Sequence, residues 1–466
     1  MRGAVKGCSF QFALLVAVAA GCRTSPPAPL REDPFPWAAV RAAAEAPPAP
    51  RERLTVAEAV DEALAQNRTL MEARLGVLIG GTRADEAKAA LYPALDLRGT
   101  YTRRNEAPLA VAPELGTSFS VGPREAFGLN VVASYSIYGF GRHIHAYRAA
   151  QLQQRKLDAD RESAEADIAA AVTAAAFDLL EGIRAIDVAR DDEEALRRQV
   201  QDAQALLDAG RVTKVDVLEA EVEHDASRRT RERLESAVPL LRIALNALLG
   251  RATDAATEIV DEPSAAAPGW DATEVLAGAL ASRPEVRAAT LEVESLERES
   301  RAAAARELPE LSGTLTYTDT TSPFTTPSDA VILGLSIDIP IFTAGARPAR
   351  IRRAELDLDR ARLRRIDVET LVRTEVAEAL RNVEESYRDI EVAARSISKS
   401  EESLRIQREK FASGRATSRE VLDSTALLSR TRFAHLRSLF NYNVALRALH
   451  RARGADPRTS PLPPGR

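Results

Sequence analysis

The chain has few of the residues that link or fill a compact catalytic core. Its 466 residues include 2 cysteines, so neither a disulfide framework nor a cysteine-rich metal site is expected. With 2 tryptophans, 8 tyrosines and 12 phenylalanines, aromatic packing is sparse. The abundant alanine, leucine, valine, arginine and glutamate are instead typical of long, exposed helices.

Further absences narrow the function. The 63 basic and 68 acidic residues leave a net charge of −5, which gives no reason to expect nucleic acid as a partner. The sequence has no Ser–His–Asp order, phosphate loop or zinc signature, so it predicts neither an enzyme nor a cofactor. His143 and His145 lack the i, i+4 spacing of a helical metal site and predict packing or capping instead.

Residues 1–21 have the pattern of a secretory signal peptide. Their apolar run, Phe10 to Ala20, is too short to span a bilayer as a helix. The run ends in small residues before Cys22, which resembles the lipobox of bacterial lipoproteins, where that cysteine is acylated, with palmitate among the chains. An ordinary signal cleaved near Cys22 is the alternative.

The segment that follows is rich in proline and alanine. Residues 22–53 are therefore expected to form an extended, lipidated N-terminal segment rather than a helix. Arg23, directly after the cysteine, resembles the residues with which bacterial lipoproteins are sorted to the outer membrane.

The remainder of the chain repeats itself. Thr55 and Asp271 open similar helical patterns 216 residues apart, whereas Gly210 and Gly414 match at a spacing of 204. The two spacings require one insertion, which lies in the first copy around residues 107–124. We expect repeat 1 at 54–250, a linker at 251–270, repeat 2 at 271–454 and a disordered tail at 455–466.

Each repeat has the same order of helical and alternating segments. In the first, a helix over 56–91, two strands, a helix over 144–208 and a helix over 214–249 are predicted. The longest approaches 100 Å at about 1.5 Å per residue, so each repeat is expected to pack one long helix against two stacked shorter ones. The predicted strands lie at about 94–103, 127–138, 310–318 and 330–341.

Apolar and polar side chains alternate along the predicted strands. Leu95, Leu97 and Tyr101 alternate with polar residues in the first strand, and Leu333 and Leu335 belong to the same pattern in the last. The alternation and the lengths suit tilted strands that cross an outer membrane, with apolar side chains toward lipid and polar ones toward a wet lumen. The edge of a soluble β-sandwich is the alternative.

Four strands cannot close a barrel, and an open sheet edge is not tolerated in lipid. Several copies must therefore associate. Two copies would give eight strands with an interior filled by side chains, whereas three would give twelve strands and room for a passage. Counting favours three copies without excluding four, and the same symmetry would arrange the helices as a twelve-helix tube.

Specific motifs occur twice and in the same order. They include Leu91 to Leu95, Ile137 to Arg142 and Ala209 to Leu218, with second copies at Pro340 to Gly345 and Ser413 to Leu422. On these motifs the chain resembles the TolC-like outer membrane factors of efflux and type I secretion systems, over roughly residues 54–454.

The resemblance implies a mixed α and β membrane protein with two tandem repeats. Three chains would form a 12-stranded β-barrel in the bacterial outer membrane, continued by a 12-helix α-barrel in the periplasm. A periplasmic adaptor and an inner-membrane transporter would be the partners. The protein would be a passive duct, opened at its periplasmic tip and energised by the pump. From the residues alone, the alternative is a lipid-anchored periplasmic coiled-coil scaffold.

Turns and corners are the first group of expected functional residues. Gly210 and Gly414 are predicted at helix–helix turns, since glycine permits the left-handed backbone of a tight turn. In the family these turns form the tip that meets the adaptor, and Asp216, close to the first turn, is expected to belong to the same docking surface. The strand–helix corners are expected at Pro93, Gly141, Pro309 and Gly345.

Acidic residues near the tip are the second group. Glu420 and Asp423 match family positions that ring the closed entrance, and a ring of like charges would select cations. Capping is the alternative for Asp216 and Glu420, because each lies three residues after a threonine. Asp423 is one turn further on, beyond capping reach, and its alternative is a solvated helix face.

Overall fold

The computed structural model describes residues 52–112, 117–120, 122–263, 265–320 and 329–458. The predicted signal peptide, Cys22 and the chain up to residue 51 lie outside this part, as does the tail beyond residue 458. The described residues form eight helices and eight strands in two similar successions. None of these helices combines the length and the apolar character that crossing a bilayer requires.

The first succession contains β1 (Arg53–Leu54), α1 (Val56–Gln66), α2 (Arg68–Ala89), β2 (Ala94–Arg103), β3 (Leu109–Ala112), β4 (Thr117–Ser120), β5 (Glu125–Tyr138), α3 (Arg142–Asp208) and α4 (Lys214–Leu249). The second contains β6 (Glu258–Ile259), α5 (Ala272–Ser282), α6 (Pro284–Ala305), β7 (Glu310–Thr320), β8 (Asp329–Asp338), α7 (Ala346–Ala412) and α8 (Ser418–Ala452). Helices α3 and α7 have 67 residues each, or about 100 Å of helix.

The single helix predicted over residues 56–91 is wrong, because the chain breaks at Asn67. Asn67 has extended backbone torsions (φ −63°, ψ 129°) between α1 and α2. Its Oδ1 accepts a hydrogen bond from the backbone N–H of Thr69 at 2.9 Å, and its Nδ2 donates to the Leu248 carbonyl at 2.8 Å. Asn67 thereby caps α2 and ties the break to the end of α4.

The second repeat has an equivalent break, made by different residues. Arg283 takes φ −64° and ψ 130° between α5 and α6, and Pro284 then opens α6, where its missing N–H costs nothing. Gly250 and Gly454 close α4 and α8 with φ of 77° and 71°. A Cβ on Gly250 would lie 2.7 Å from the Gln66 carbonyl oxygen, so the chain passes too close to the first break for any side chain.

The hydrophobic core is divided between the repeats at the level of these breaks. In the first repeat α1, α3 and α4 enclose Leu64, Val172 and Leu245; in the second α5, α7 and α8 enclose Val376 and Leu446. The inter-repeat linker closes over the first cluster through a parallel pairing of β1 with β6. The part of the molecule at the level of these breaks, the equatorial region, therefore contains the two largest hydrophobic clusters of the described residues.

The helices also pack across the repeat boundary. On the strand side of the breaks, α2 packs on α3, α3 on α6, and α6 on α7. Helix α8 of the second repeat also packs on α3. The contacts are close: a Cβ on Gly80 of α2 would lie 2.8 Å from Leu157 of α3, and Ser295 of α6 donates to the Ala149 carbonyl of α3 at 3.0 Å. The four helices α2, α3, α6 and α7 thus form one continuous layer.

Candidate functional site

The main sheet has two faces of opposite character. Its strand order is β2–β5–β7–β8, and every pairing is antiparallel. Because opposed residues share a face, the registers place the following large apolar and aromatic side chains on one side: Leu95, Leu97, Tyr101, Phe127, Leu129, Val131, Tyr135, Leu311, Leu315, Tyr317, Val331, Leu333, Leu335 and Ile337.

The opposite face of the sheet is mostly polar. It carries Asn130, Ser134, Ser136, Ser312, Thr314, Thr316 and Thr318 on the inner strands β5 and β7, Asp96, Arg98, Thr100 and Thr102 on β2, and Ser336 on β8.

The apolar face is uncovered. The side chains of Leu97, Leu333 and Leu335 are 70%, 74% and 69% exposed. In water such a surface is a liability, whereas it matches the hydrocarbon of a bilayer. Aromatic residues also occur at both ends: Tyr101 opposes Phe127 near the hairpin ends, and Tyr138 packs on Phe140 beside the helices, with ring centroids 4.8 Å apart. Two aromatic levels bounding an apolar band are typical of outer-membrane strands.

The order of the strands matches the order of the helices. Strand β2 follows α2, β5 leads into α3, β7 follows α6, and β8 leads into α7. Since the helical layer has the order α2–α3–α6–α7, each strand continues the helix beneath it. The sheet and the helical layer are therefore two parts of one wall, four elements wide.

Both edges of this wall are unpaired within the described chain. In the main sheet β2 and β8 each have a single neighbour, so one side of each carries free backbone N–H and C=O groups. The flanking helices are also uncovered: Ile79 on α2 is 52% exposed, and Leu363 and Ile366 on α7 are 64% and 54% exposed. Sheet and helices thus present matching open edges.

The predicted corner residues lie where the strands meet the helices. Pro93 precedes β2 and Pro309 precedes β7, and Gly141 and Gly345 are the N-cap residues of α3 and α7, with φ of 80° and 83°. Three residues separate β5 from α3 at the first glycine corner, and seven separate β8 from α7 at the second.

The residues before these corner glycines also have unusual backbone torsions. Phe140 and Ala344 also have positive φ, 51° and 47°, although neither is glycine. A left-handed conformation at such residues costs about 1–2 kcal/mol each. The same strained pair occurs in both repeats, so the corner geometry is duplicated with the fold.

Acidic residues from the second repeat hold both corners together. Glu310, at the start of β7, accepts hydrogen bonds from Ser136 at 2.8 Å and from Arg142 at 2.9 Å. At the second corner Glu307 is buried and pairs with Arg347 at 2.9 Å and with Arg350. These ion pairs join segments far apart in sequence, which is why no local pattern predicted them.

The two predicted turns lie side by side at the opposite end of the long helices. Gly210 and Gly414 have φ of 69° and 72°, and Arg211 donates to the Ala412 carbonyl at 2.9 Å. Beneath them Phe411 and Val421 are buried against side chains of the first turn, including Leu206 and Val212. The structure therefore brings both turns into one tip.

The tip acids have different environments. Asp216 accepts hydrogen bonds from the backbone N–H and the hydroxyl of Thr213, at 2.8 and 2.7 Å, so its carboxylate caps α4. At the second turn Thr417 caps α8 by accepting from the backbone N–H of Glu420 at 3.4 Å, and the Glu420 side chain is exposed. Asp423 is 70% exposed and lies 4.0 Å from Arg419.

The two histidines of the first corner point to different neighbours. His143 Nε2 lies 3.8 Å from Glu310. Burial and the nearby Arg298 lower the pKa of His145, which keeps that imidazole neutral. Among the described residues there is no group of three or more His, Cys, Asp or Glu arranged to hold a metal ion.

Comparison with known proteins identifies the fold and the duplication. The sequence model of the outer membrane efflux protein family matches residues 59–251 and 275–455, one match in each repeat. The chain belongs to the outer membrane efflux protein family. This family consists of channel proteins, which supports an outer-membrane efflux or secretion channel rather than an enzyme.

This outer membrane efflux protein is similar to individual proteins in sequence and in structure. Protein CyaE of Bordetella pertussis is 26% identical over 324 residues, which cover 67% of this chain and 66% of CyaE, just under two thirds of that relative. The outer-membrane channel OprN superposes with a TM-score of 0.77 at 19% identity, over 87% of this chain and 91% of OprN. VceC of Vibrio cholerae gives 0.74 at 19% identity, over 86% and 96%. These structures establish the fold.

One further feature of the efflux protein was missed from the sequence. Asp192 lies among the buried positions Ala185, Ala189 and Leu196 of α3, and Ser429 of α8 donates a hydrogen bond to it. Burial raises the pKa of the Asp192 carboxyl. The signal was present in the sequence, because Asp192 occupies a position that continues the helical spacing of the apolar residues Ala185, Ala189 and Leu196.

Proposed function

We propose that three copies of this chain form an outer-membrane export duct, with a twelve-stranded barrel continued by a twelve-helix tunnel in the periplasm. The observation that carries the proposal is the wall itself: a sheet with an uncovered apolar face and two free edges, each strand continuing into one helix. Lipid would cover the apolar face, and neighbouring copies would pair the edges, because unpaired backbone groups are not tolerated in a bilayer.

The strand directions support ring closure. Four alternating strands leave β8 antiparallel to β2, so β8 of one copy can pair with β2 of the next in the same antiparallel manner as within the chain. The exposed apolar residues of α7 would then pack on those of the next copy's α2. Three copies make twelve strands, the smallest number here that leaves a passage.

The proposed lipid anchor fits the position of the first described residues. β1 lies beside the equatorial breaks, and α2, which leads from there to the strands, has 22 residues, or about 33 Å of helix. The thirty residues between Cys22 and β1 span up to about 100 Å when extended. An acylated Cys22 therefore has ample chain to reach the outer membrane.

The tip is proposed as the entrance and the docking surface. A periplasmic adaptor would contact the adjoining turns at Gly210 and Gly414, with Asp216 holding the start of α4. Asp423, with Glu420, would line the entrance as a threefold ring of carboxylates. An inner-membrane transporter would supply the energy for export through the passage.

The deciding experiment is insertion of the purified, acylated full-length chain into planar bilayers. We expect discrete conductance steps, detergent-dependent extraction from membranes, and trimers that dissociate only on heating. The periplasmic scaffold is the competing function, since it needs only the helices. An elongated monomer that leaves membranes in buffer and gives no conductance would support the scaffold and reject the duct.

Asp423→Ala is expected to lower single-channel cation conductance and to weaken block by Mg²⁺, because a ring of three carboxylates at a narrow entrance concentrates cations. The substitution should leave the fold intact, since an exposed ion pair such as Arg419–Asp423 contributes at most about 1 kcal/mol. Glu385→Ala is the matched control, because Glu385 forms a similar exposed pair with Arg381 at 3.8 Å on α7. Unchanged conductance and unchanged Mg²⁺ block would contradict the gate.

A further inference from the structure

A cavity of about 460 Å³ lies directly beneath the strands, between the first turns of α3 and α7 and the last turns of α6. Arg142 and His143 line it from α3, Arg306 from the residue that follows α6, and Arg350 and Arg353 from α7. Its volume is within the range of small-molecule sites. Nothing in the gating or docking described above uses this cavity.

The positive charge of the cavity is only partly compensated. Arg142 is paired with Glu310, Arg350 with Glu307, and the lining acid Asp357 with Arg360 at 3.0 Å. Among the described residues, Arg306 and Arg353 form no ion pair. Two guanidinium groups therefore line the cavity without an ion-pair partner among the described residues, and guanidinium groups bind oxyanions in a bidentate manner.

Glu299 is the remaining acid of the cavity. Burial and the nearby Asp357 raise the pKa of Glu299, so the cavity environment disfavours its charged form. The two unpaired arginines, Arg306 and Arg353, therefore outnumber the one unpaired acid, Glu299. The net positive charge of the cavity increases when Glu299 is protonated.

The helix that contributes Arg350 and Arg353 is unusually basic at its start. Residues 346–365 contain eight arginines and three acids, and neither α3 nor α7 has an acidic residue in its first turn. Helix N-termini favour negative charge, so this arrangement works against the helix dipole. An anion bound in the cavity would offset both the arginines and the dipole.

The cavity belongs to the polar side of the wall. Glu310 lies on the polar face of the sheet, in register with Asp338, and is bound by Ser136 of the same face. The same carboxylate is bound by Arg142 and lies close to His143, both of which line the cavity. The cavity therefore opens toward the side that lines the passage in the proposed duct, away from the face that meets lipid.

We propose that this cavity is a binding site for small soluble anions that carry two or more carboxylate or phosphate groups, one per copy, at the junction of the barrel and the tunnel. Arg306 and Arg353 are the residues that bind the anion. Its placement along the passage rests on the proposed duct, whereas binding itself does not.

Citrate and pyrophosphate are the probes. Calorimetry of the detergent-solubilised full-length protein is expected to detect citrate binding, and in planar bilayers citrate is expected to reduce the single-channel current more than acetate of equal charge concentration. Arg306→Gln with Arg353→Gln should weaken both binding and block at least tenfold, because both unpaired guanidinium groups are removed.

Arg352→Gln is the matched control. Arg352 is the neighbour of Arg353 in sequence, does not line the cavity and is paired with Glu355 at 3.2 Å. We expect it to leave citrate binding within twofold of the unsubstituted protein. An equal loss in the control would mean general electrostatics and would overturn the site, as would unchanged binding in the double variant.

The lipid composition of the bilayer distinguishes a soluble anion from a lipid headgroup as the ligand of the cavity. Citrate block that is the same in neutral bilayers and in bilayers containing phosphatidylglycerol supports a soluble ligand. If anionic lipid abolishes citrate binding, the arginines serve lipid headgroups and the proposal is wrong. Calorimetric binding without any channel conductance would reject the duct and leave the anion site standing.

Discussion

Leu333→Arg is expected to abolish assembly of the protein in the outer membrane. Leu333 is 74% exposed and opposes Leu315 in the middle of the apolar face. An arginine on the lipid face of a barrel near the bilayer midplane costs about 2–4 kcal/mol, and a threefold assembly would bear that cost three times. Membrane fractionation and gels of unheated samples should show loss of the heat-sensitive trimer.

The adjacent residue provides the control. Ile332 is also exposed, at 55%, but it opposes Thr316 and so points to the polar face. Ile332→Arg should insert and assemble normally, because its guanidinium group would be in the wet passage. Normal assembly of both variants, or failure of both, would contradict the assignment of the two faces to lipid and to water.

The alternating pattern of the strands could be read from the sequence because one face alone is polar. An apolar residue at every second position has one explanation in an extended chain, and the insertion within the first repeat marked where its two strands are separated. The hairpin of β3 and β4 within that insertion was not predicted. Its short strands pair only with each other, so they lack the long run that makes a period of two recognisable.

The break of the first helix at Asn67 shows the limit of local reasoning. Asparagine is tolerated within helices, and its role as a cap here depends on the Leu248 carbonyl, which lies 181 residues away. The equivalent break in the second repeat contains Pro284, which disfavours helical backbone at Arg283 before it. Comparing the two repeats would therefore have pointed to the break, whereas the first repeat alone did not.

The site was predictable where backbone geometry demands glycine, as at the turns and corners. It was not predictable at Phe140 and Ala344, because side chains normally avoid positive φ and only the surrounding structure imposes it. The tip acids illustrate a third case. Asp216 and Glu420 occupy the same place in the capping pattern. The side chain of Asp216 accepts hydrogen bonds from its threonine, whereas Glu420 binds its threonine through the backbone N–H and its side chain is exposed.

The internal duplication predicts how neighbouring copies pair. Within the chain, β5 of the first repeat joins β7 of the second, and Val132 opposes Thr316. The repeats are related by 204 residues at the second strand and by 216 at the first. If β8 pairs with β2 of the next copy in the register that β5 has with β7, Ser336 of β8 lies opposite Thr100 of the next copy's β2. Both side chains are then on the polar face.

Thr100→Cys combined with Ser336→Cys is therefore expected to link the copies covalently on mild oxidation. Directly opposed residues of antiparallel strands have Cβ atoms about 4.5–5.5 Å apart, within reach of a disulfide after slight adjustment. Denaturing gels without reductant should show dimers and then a covalent trimer, and each single variant should remain a monomer. If the largest cross-linked species on the gel contained two or four copies, the proposed assembly of three copies would be wrong.

Tyr101→Cys combined with Ser336→Cys is the control, because a shift of one residue moves the side chain to the apolar face. This pair should not cross-link, although Tyr101 is the neighbour of Thr100 in sequence. Efficient cross-linking of this pair, and not of the first, would mean that the strand register between copies differs from the register between β5 and β7 within the chain. The duplication would then describe the fold of one chain without governing the closure of the ring.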